Sequence, residues 1–292
     1  MLLSFAADVE WPDVDAADAL HAAVPTDGSW GRLAEVAEWL AGSQGLCPPQ
    51  AFARARLVRF GADGAAADAD ENADPMLAGV RDVPRVDAQS VQDAVAAGAA
   101  IADDEIDRGA DLLIVALHGL GSGATAAVSL LTDTEPVKLV ARGYAVTADA
   151  WSTQVVAIRD ARRRAAAHRA VINDLVAALF DEADVPDVIA LAGFLLRCAT
   201  RRTPVVYDGV AAACAAVIGY EVQARAARWW RPADASAHPV HVAALARMAQ
   251  QPVLDLGTEL GDGRVGVLAA HVLREAVRVA GAALSPGTQT AG

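Results

Sequence analysis

The chain has 292 residues, 54% of them hydrophobic but only 5% aromatic, and a formal net charge of −13. A chain of this length holds one sizeable core; with few aromatics that core is built from Ala, Val and Leu, which favours closely packed helices around a short sheet. The acidic balance excludes nucleic acid and an anionic membrane as partners, because phosphate backbones demand a cationic face.

In chain order, Trp30, Leu33, Val36, Ala37 and Leu40 repeat at helical spacing within residues 29–44, predicting an amphipathic helix with Ser29 as its N-cap. RARLVRFGAD (54–63) predicts a strand running into a glycine turn, and the small, acidic stretch 61–75 a loop. A helical pattern resumes from Asp87 to Arg108, and the apolar run from Asp111 to Leu117 predicts a buried strand. PVKLVARG (136–143) and TPVVYDG (203–209) predict two more strands, while helical patterns fill 148–180, 187–200, 210–228, 238–250 and 265–284. Strands separated by helices imply an α/β fold with a mainly parallel sheet. We expect a single unit over 1–292, with a helical N-terminal part (1–50) and an α/β core with C-terminal helices (51–292).

Cys47, Cys198 and Cys214 are odd in number and widely spaced, so they form neither a disulfide framework nor a zinc site, and a reducing cytoplasm fits. The N-terminus is acidic where a secretory signal is basic, and the apolar run VIALAGFLL ends at Arg197, too short to span a bilayer. A soluble cytoplasmic protein is expected. The arginine-rich segment 159–169 reads as a solvated helix face, of interest only if it lines an anion site.

Three stretches bear chemistry. In DLLIVALHGLGSGATAAVSLL (111–131), a strand, a glycine turn and a helix aim backbone N–H groups and a positive dipole end at one point, which suits an anion. Gly119, Gly121 and Ala124 also satisfy G-x-G-x-x-A, so an NAD(P)-binding oxidoreductase is one alternative. The stretch after it ends in Val140, Ala141 and Arg142, without the acid such a site needs, and a plain tight turn competes with it. In LDLGTELGDGRVG (254–266), glycines flank Asp262 and leave its carboxylate exposed, either as a general base or as a charge near a helix N-terminus. His238 and His241 stand three apart, but no third ligand follows, so we expect no metal, and helix capping by Asp234 or Ser236.

Taken together and in this order, these stretches resemble the nicotinate-nucleotide:dimethylbenzimidazole phosphoribosyltransferases. GSWGRLAEVAEWLAGSQG is similar to that family's G-S-L-G-x-L-E helix, and FGAD to its A-x-D-H-G strand end. LLIVALHGLGSGAT resembles its G-E-M-G-x-G-N-T-T turn, RRTPVVYDG its R-x-P-V-x-L-D-G, and LDLGTELGDGRVG its L-x-x-R-L-G-E-G-x-G. The matches run from Gly28 to Leu284. The resemblance implies a Rossmann-like three-layer parallel sheet flanked by many helices, and phosphoribosyl transfer from nicotinate mononucleotide, or a related nucleotide, to a benzimidazole-like acceptor in cobalamin biosynthesis. It also implies no cofactor, and a homodimer or a heterodimer with a family member.

Carried over residue by residue, the resemblance makes Asp262 the catalytic carboxylate, one methylene shorter than the family's Glu, with Glu259 where the family has Arg. It places Gly119, Gly121, Ser122, Gly123, Thr125, Asp208, Leu260, Gly261 and Gly263 around the substrate. A second active-site Glu of the family is Leu117 here, two hydroxyls near the nucleotide are Gly123 and Ala124, and a diglycine is Asp184 and Val185. The G-x-G-T-G turn aligns with Arg142 to Val146, of which only Gly143 is kept. His is missing after Asp63, and S-x-E-x-G-H appears as Ser236, His238 and His241 with its Glu replaced. A short acidic loop between Ala67 and Pro84 replaces the acceptor-pocket stretch. Two functions follow: a phosphoribosyltransferase with altered or lost activity, or an inactive homologue that serves as a binding partner or regulatory subunit.

Overall fold

The computed structural model describes residue 6 and residues 8–62, 74–141 and 147–284. Five strands form one parallel sheet: β1 (Ala55–Phe60), β2 (Leu77–Val83), β3 (Leu112–Leu117), β4 (Val205–Asp208) and β5 (Trp230–Pro232), in the order β2-β1-β3-β4-β5. Successive side chains of a strand point to opposite faces, and here both faces are buried. Val58, Phe60, Leu113, Val115, Leu117, Val205 and Tyr207 enter one apolar cluster, while Leu57, Leu112, Ile114 and Val206 enter the other.

The second cluster is covered by α1 (Val14–Ala23), α2 (Arg32–Gln44) and the long C-terminal α11 (Arg264–Leu284). The first is covered by α3 (Val91–Asp107), α4 (Ser122–Leu131), α8 (Val185–Thr200), α9 (Val210–Val222) and α10 (Pro239–Met248). Between α4 and α8 the chain makes α5 (Pro136–Leu139), α6 (Ala148–Ala165) and α7 (Ile172–Ala178). The result is the expected three-layer α/β arrangement. Helices α3 and α8 meet at Gly98 and Gly193, where any Cβ would collide with the facing backbone at Ala190 or Val95.

Several local expectations are corrected. Residues 136–139 of the predicted strand 136–143 are helical: Pro136 sits at the first helical position, where its fixed φ suits the turn and its missing N–H costs nothing. Ser29 does not cap its helix; α2 starts at Arg32 with Gly31 at the cap, and the Ser29 N–H donates to Asp27. The cap of α10 is His238, whose ring accepts from the Val240 N–H, while Ser236 accepts from the His238 N–H and Asp234 from Leu256 and Thr258. Strand β2 lies on the sheet edge and is half-buried, and β5 has three residues, so neither offers a periodic apolar signal. The short acidic loop expected between Ala67 and Pro84 is corrected in its second half, where Leu77–Val83 form β2 beside β1; Asp63, Ala67 and the rest of 63–73 lie outside the described residues, as does the Arg142–Val146 turn.

Candidate active site

The C-terminal ends of β3 and β4 face the same side of the sheet, where open parallel sheets place their ligands. Two turns leave them. After β3 the chain passes His118, Gly119 (φ +83°) and Gly121 into α4; after β4 it passes Gly209 (φ +92°) into α9. The loop before α11 reaches β4 from the far end of the chain.

At the second turn, the predicted residues do come together. Asp208, 3% exposed, accepts the backbone N–H of Gly263 at 3.0 Å and of Gly266 at 3.3 Å, so it caps α11. Gly209 lies so close to Gly261 that a Cβ on it would stand 2.5 Å from the Gly261 Cα. Burial pushes the Asp208 carboxyl up to about 6, against the backbone N–H groups that favour its charged form, and the nearby Asp262 charge pushes the same way as burial. Leu260 is 53% exposed on the rim.

Asp262 sits beside this cap and is committed to a neighbour. The Arg264 guanidinium donates to its Oδ2 from Nε at 2.7 Å, and the Arg264 N–H donates to Oδ1 at 3.1 Å. Burial favours the neutral acid, but these bonds outweigh it and hold the carboxyl below its ordinary value. At neutral pH Asp262 is a paired anion, a weak base by affinity and engaged in geometry.

At the first turn, the glycines form the backbone path, and a carboxylate already fills it. Asp184, one residue before α8, accepts the Gly123 N–H at 3.2 Å and the Ala124 N–H at 2.8 Å, the donors that the start of α4 presents to an anion. Gly121 has no room for a Cβ because the Asp184 carboxylate stands there, and Gly123 packs against Glu182 and Val185. The Ser122 hydroxyl donates to Glu182 at 2.9 Å, and Glu182 is also paired with Arg164. Thr125, expected at the substrate, is 1% exposed and donates to the Gly121 carbonyl at 2.8 Å, so its hydroxyl is used inside the helix. Leu117 is buried in the core. A cleft of about 280 Å³ remains, walled by Arg85, His118, Glu182, Asp184 and Asp187 among others. Asp187 is buried, accepts the Val86 N–H at 2.7 Å and lies 4.0 Å from Arg85.

Sequence reasoning thus found both turns but missed Asp184, Glu182, Asp187, Arg85 and Arg164. The signal was present at one of them: Asp184 stands where the resembled motif has glycine, and an acid there reaches the α4 donors. The other arginines of the 159–169 segment lie near surface carboxylates, Arg162 at 3.7 Å from Asp133 and Arg163 at 3.3 Å from Asp160. His241 is buried, and burial pulls its ring down to about 4. Among the described residues no group of three or more His, Cys, Asp or Glu gathers as a metal site, and no helix is long and apolar enough to cross a membrane.

A parallel α/β sheet with an anion-type turn and a carboxylate loop at its C-terminal edge is matched by a family profile described as phosphoribosyltransferase, over residues 78–285. The class is therefore that of the phosphoribosyltransferases. The chain belongs to the nicotinate-nucleotide–dimethylbenzimidazole phosphoribosyltransferase family. It is 36% identical to the protein of that name from Mycobacterium avium (strain 104), across 329 aligned positions covering 93% of each chain. With that of Mycobacterium ulcerans (strain Agy99) it shares 36% over 304 positions, covering 86% of this chain and 84% of the relative. The first alignment is longer than the 292-residue chain, so the relative carries residues that this chain lacks. The crystal structure of a nicotinate-nucleotide–dimethylbenzimidazole phosphoribosyltransferase from Thermus thermophilus has the same fold, with a TM-score of 0.75 at 22% identity over 94% of this chain and 100% of that one.

Proposed function

We propose that this chain is a diverged member of its family in which phosphoribosyl transfer from nicotinate mononucleotide to dimethylbenzimidazole is lost or vestigial, and that it serves as a binding partner, in a homodimer or beside an active family member. The observation that carries this reading is the Asp184 carboxylate on the Gly123 and Ala124 N–H groups. Transfer at an anomeric carbon needs the nucleotide phosphate held, the developing positive charge stabilised and the acceptor's proton removed. A phosphate entering the first turn has to displace Asp184 and then sit beside Glu182 and Asp187. Two like charges in a partly desolvated cleft repel strongly. The third requirement falls to Asp262, which Arg264 already holds.

The retained carboxylate at Asp262 supports a second reading, a transferase with a changed nucleotide or acceptor. Calorimetric titration with nicotinate mononucleotide, followed by a nicotinate-release assay over a panel of benzimidazoles and purines, separates the two. The first reading expects no binding at millimolar nucleotide and binding gained in Asp184→Gly. Turnover by the unaltered chain that Asp262→Asn abolishes overturns it.

A further inference from the structure

At the edge of the sheet, β5 begins with Trp230 and Arg231, and the short turn before it (Ala224–Trp229) carries Arg225 and Arg228. With Trp11 and with Trp39 of α2, these residues wall two adjoining cavities of about 370 and 460 Å³. No wall residue is shared with the cleft around Asp184. The two sites lie at opposite ends of the parallel strands: the turns follow β3 and β4, whereas this groove meets β5 where it starts.

The cations here are not held in close ion pairs among the described residues, although Asp13, Glu35 and Glu38 share the larger cavity with Arg228 and Arg231. Arg225 stands 6.0 Å from the centre of the Trp11 ring and Arg231 5.7 Å from that of Trp39. Among the described residues no carboxylate lies within 4.0 Å of Arg225, Arg228 or Arg231. In a chain of net charge −13, three such guanidinium groups on one groove are an exception to the surface as a whole. Arg231 is half-buried, Arg228 and Arg32 act on it as like charges, and Glu35 and Tyr207 oppose them; burial is the main cause that lowers its affinity for the proton.

The aromatic groups show the same incompleteness. The indole N–H of Trp39 donates to the Arg228 carbonyl and that of Trp229 to the Glu10 carbonyl, each at 2.8 Å. Trp230, fully buried in the wall of the smaller cavity, has an indole nitrogen with no partner among the described residues. A buried polar group left unpaired is costly and calls for a partner. The nearby Gln250 is engaged elsewhere: its amide oxygen accepts from Tyr207 and its nitrogen donates to the Ala227 and Trp230 carbonyls. Trp11 is 56% exposed, a large open ring face beside a cation.

We propose that this groove is a binding site for a small aromatic anion, its ring laid against Trp11 and its carboxylate or phosphate held by Arg225, Arg228 and Arg231. Guanidinium groups match both acid types with paired N–H donors and stack on aromatic faces. The size of the smaller cavity suits a molecule of one or two rings. A nucleic acid strand is excluded, because Asp13, Glu35 and Glu38 line the larger cavity and face any extended polyanion. The site does not depend on whether the chain turns over nucleotide.

Four probes titrated into the whole protein, followed by tryptophan fluorescence and calorimetry, test the assignment. Benzoate and phenyl phosphate carry ring and charge, inorganic phosphate carries charge alone, and benzamide carries the ring alone. The proposal expects benzoate, phenyl phosphate or both to bind below millimolar concentration, more weakly as salt rises, with phosphate and benzamide far weaker. Whichever of the two binds better distinguishes an aromatic acid from an aromatic phosphate as the natural ligand. Arg231→Gln removes a charged hydrogen-bond donor and weakens binding about tenfold to a hundredfold, Trp11→Ala weakens it also, and Asp184→Gly leaves it unchanged. Arg225 and Trp11 are exposed, so Arg225→Gln and Trp11→Ala keep the test intact should Arg231→Gln not fold. No binding by either aromatic anion at millimolar concentration, or binding that Arg225→Gln and Trp11→Ala both leave unaltered, overturns the proposal. So does a groove covered by a second copy, seen in sedimentation as a dimer that Trp11→Ala disperses and that excludes every probe.

Discussion

Of the helices that begin at the C-terminal edge of the sheet, α4 and α11 are each capped by an aspartate distant in sequence. Asp208 caps α11 and Asp184 caps α4, by the same pairing of a carboxylate with first-turn N–H groups. Their surroundings set them apart. Asp208 leaves the end of β4, is 3% exposed and ties the glycine loop 257–263 to the sheet. Asp184 is half-buried at the mouth of a cleft, on the chain leading into α8. One carboxylate seats a loop on the sheet, and the other takes up the Gly123 and Ala124 N–H donors that the start of α4 presents. An anion-shaped turn is therefore no indication of an anion site until the donors are shown to be free.

That contrast is open to attack by substitution. The largest effect is expected at Gly209→Ala, where a positive φ and the contact with Gly261 leave a Cβ no space; urea unfolding should show a loss of about 3 kcal/mol, and a loss under about 1 kcal/mol would mean the loop is not seated on β4.

Asp208 supplies a pH test of similar size. Its folded-state value of about 6 lies above the ordinary 3.8, so the folded protein holds that proton more tightly than the unfolded chain does. Its contribution to stability is full below about pH 4, falls by about 3 kcal/mol as pH rises to about 6, and is constant above. Asp208→Asn should abolish that fall in denaturation curves taken at several pH values, and an unchanged slope would assign it elsewhere.

Gly121→Ala should cost about 1–3 kcal/mol because its methyl group displaces Asp184. The same substitution in an Asp184→Gly background should cost little, a coupling that a double-mutant cycle measures. Asp184→Gly alone removes a cap from a cleft that water enters, so a loss of about 1 kcal/mol is expected. The smallest effect is at Arg264→Gln. This exposed arginine contributes to the charge state of Asp262 rather than to stability, so the melting temperature should hold while the Asp262 carboxyl, followed by NMR, titrates at higher pH.

Much of this architecture is legible in the sequence. The apolar run 112–117, too short for a helix of usual length and followed by glycines, reads as a strand buried on both faces, and the glycines after it and around Asp262 mark the turns. The short β5, the edge strand β2 and the helix at Pro136 are not legible, because three residues, a half-buried edge and a proline-led turn lack the period on which such reading depends. Asp208 was found through the resembled R-x-P-V-x-L-D-G motif, which places it among the substrate residues; that it caps α11 depends on Gly263 and Gly266, 55 and 58 positions away. Asp184 was seen only as a missing glycine, since its role depends on a contact with residues 60 and 61 positions away.

The sequence by itself determined the α/β class, the two glycine turns and the motif order of the family, because these rest on local periodicity and on residues adjacent in the chain. Only the tertiary structure decided whether the turns are vacant. Whether Asp184 fills the start of α4, whether Arg264 claims Asp262, and whether three arginines gather without close carboxylates around Trp11 and Trp39 are set by how helices pack across the sheet. Packing brings together charges that the chain keeps far apart.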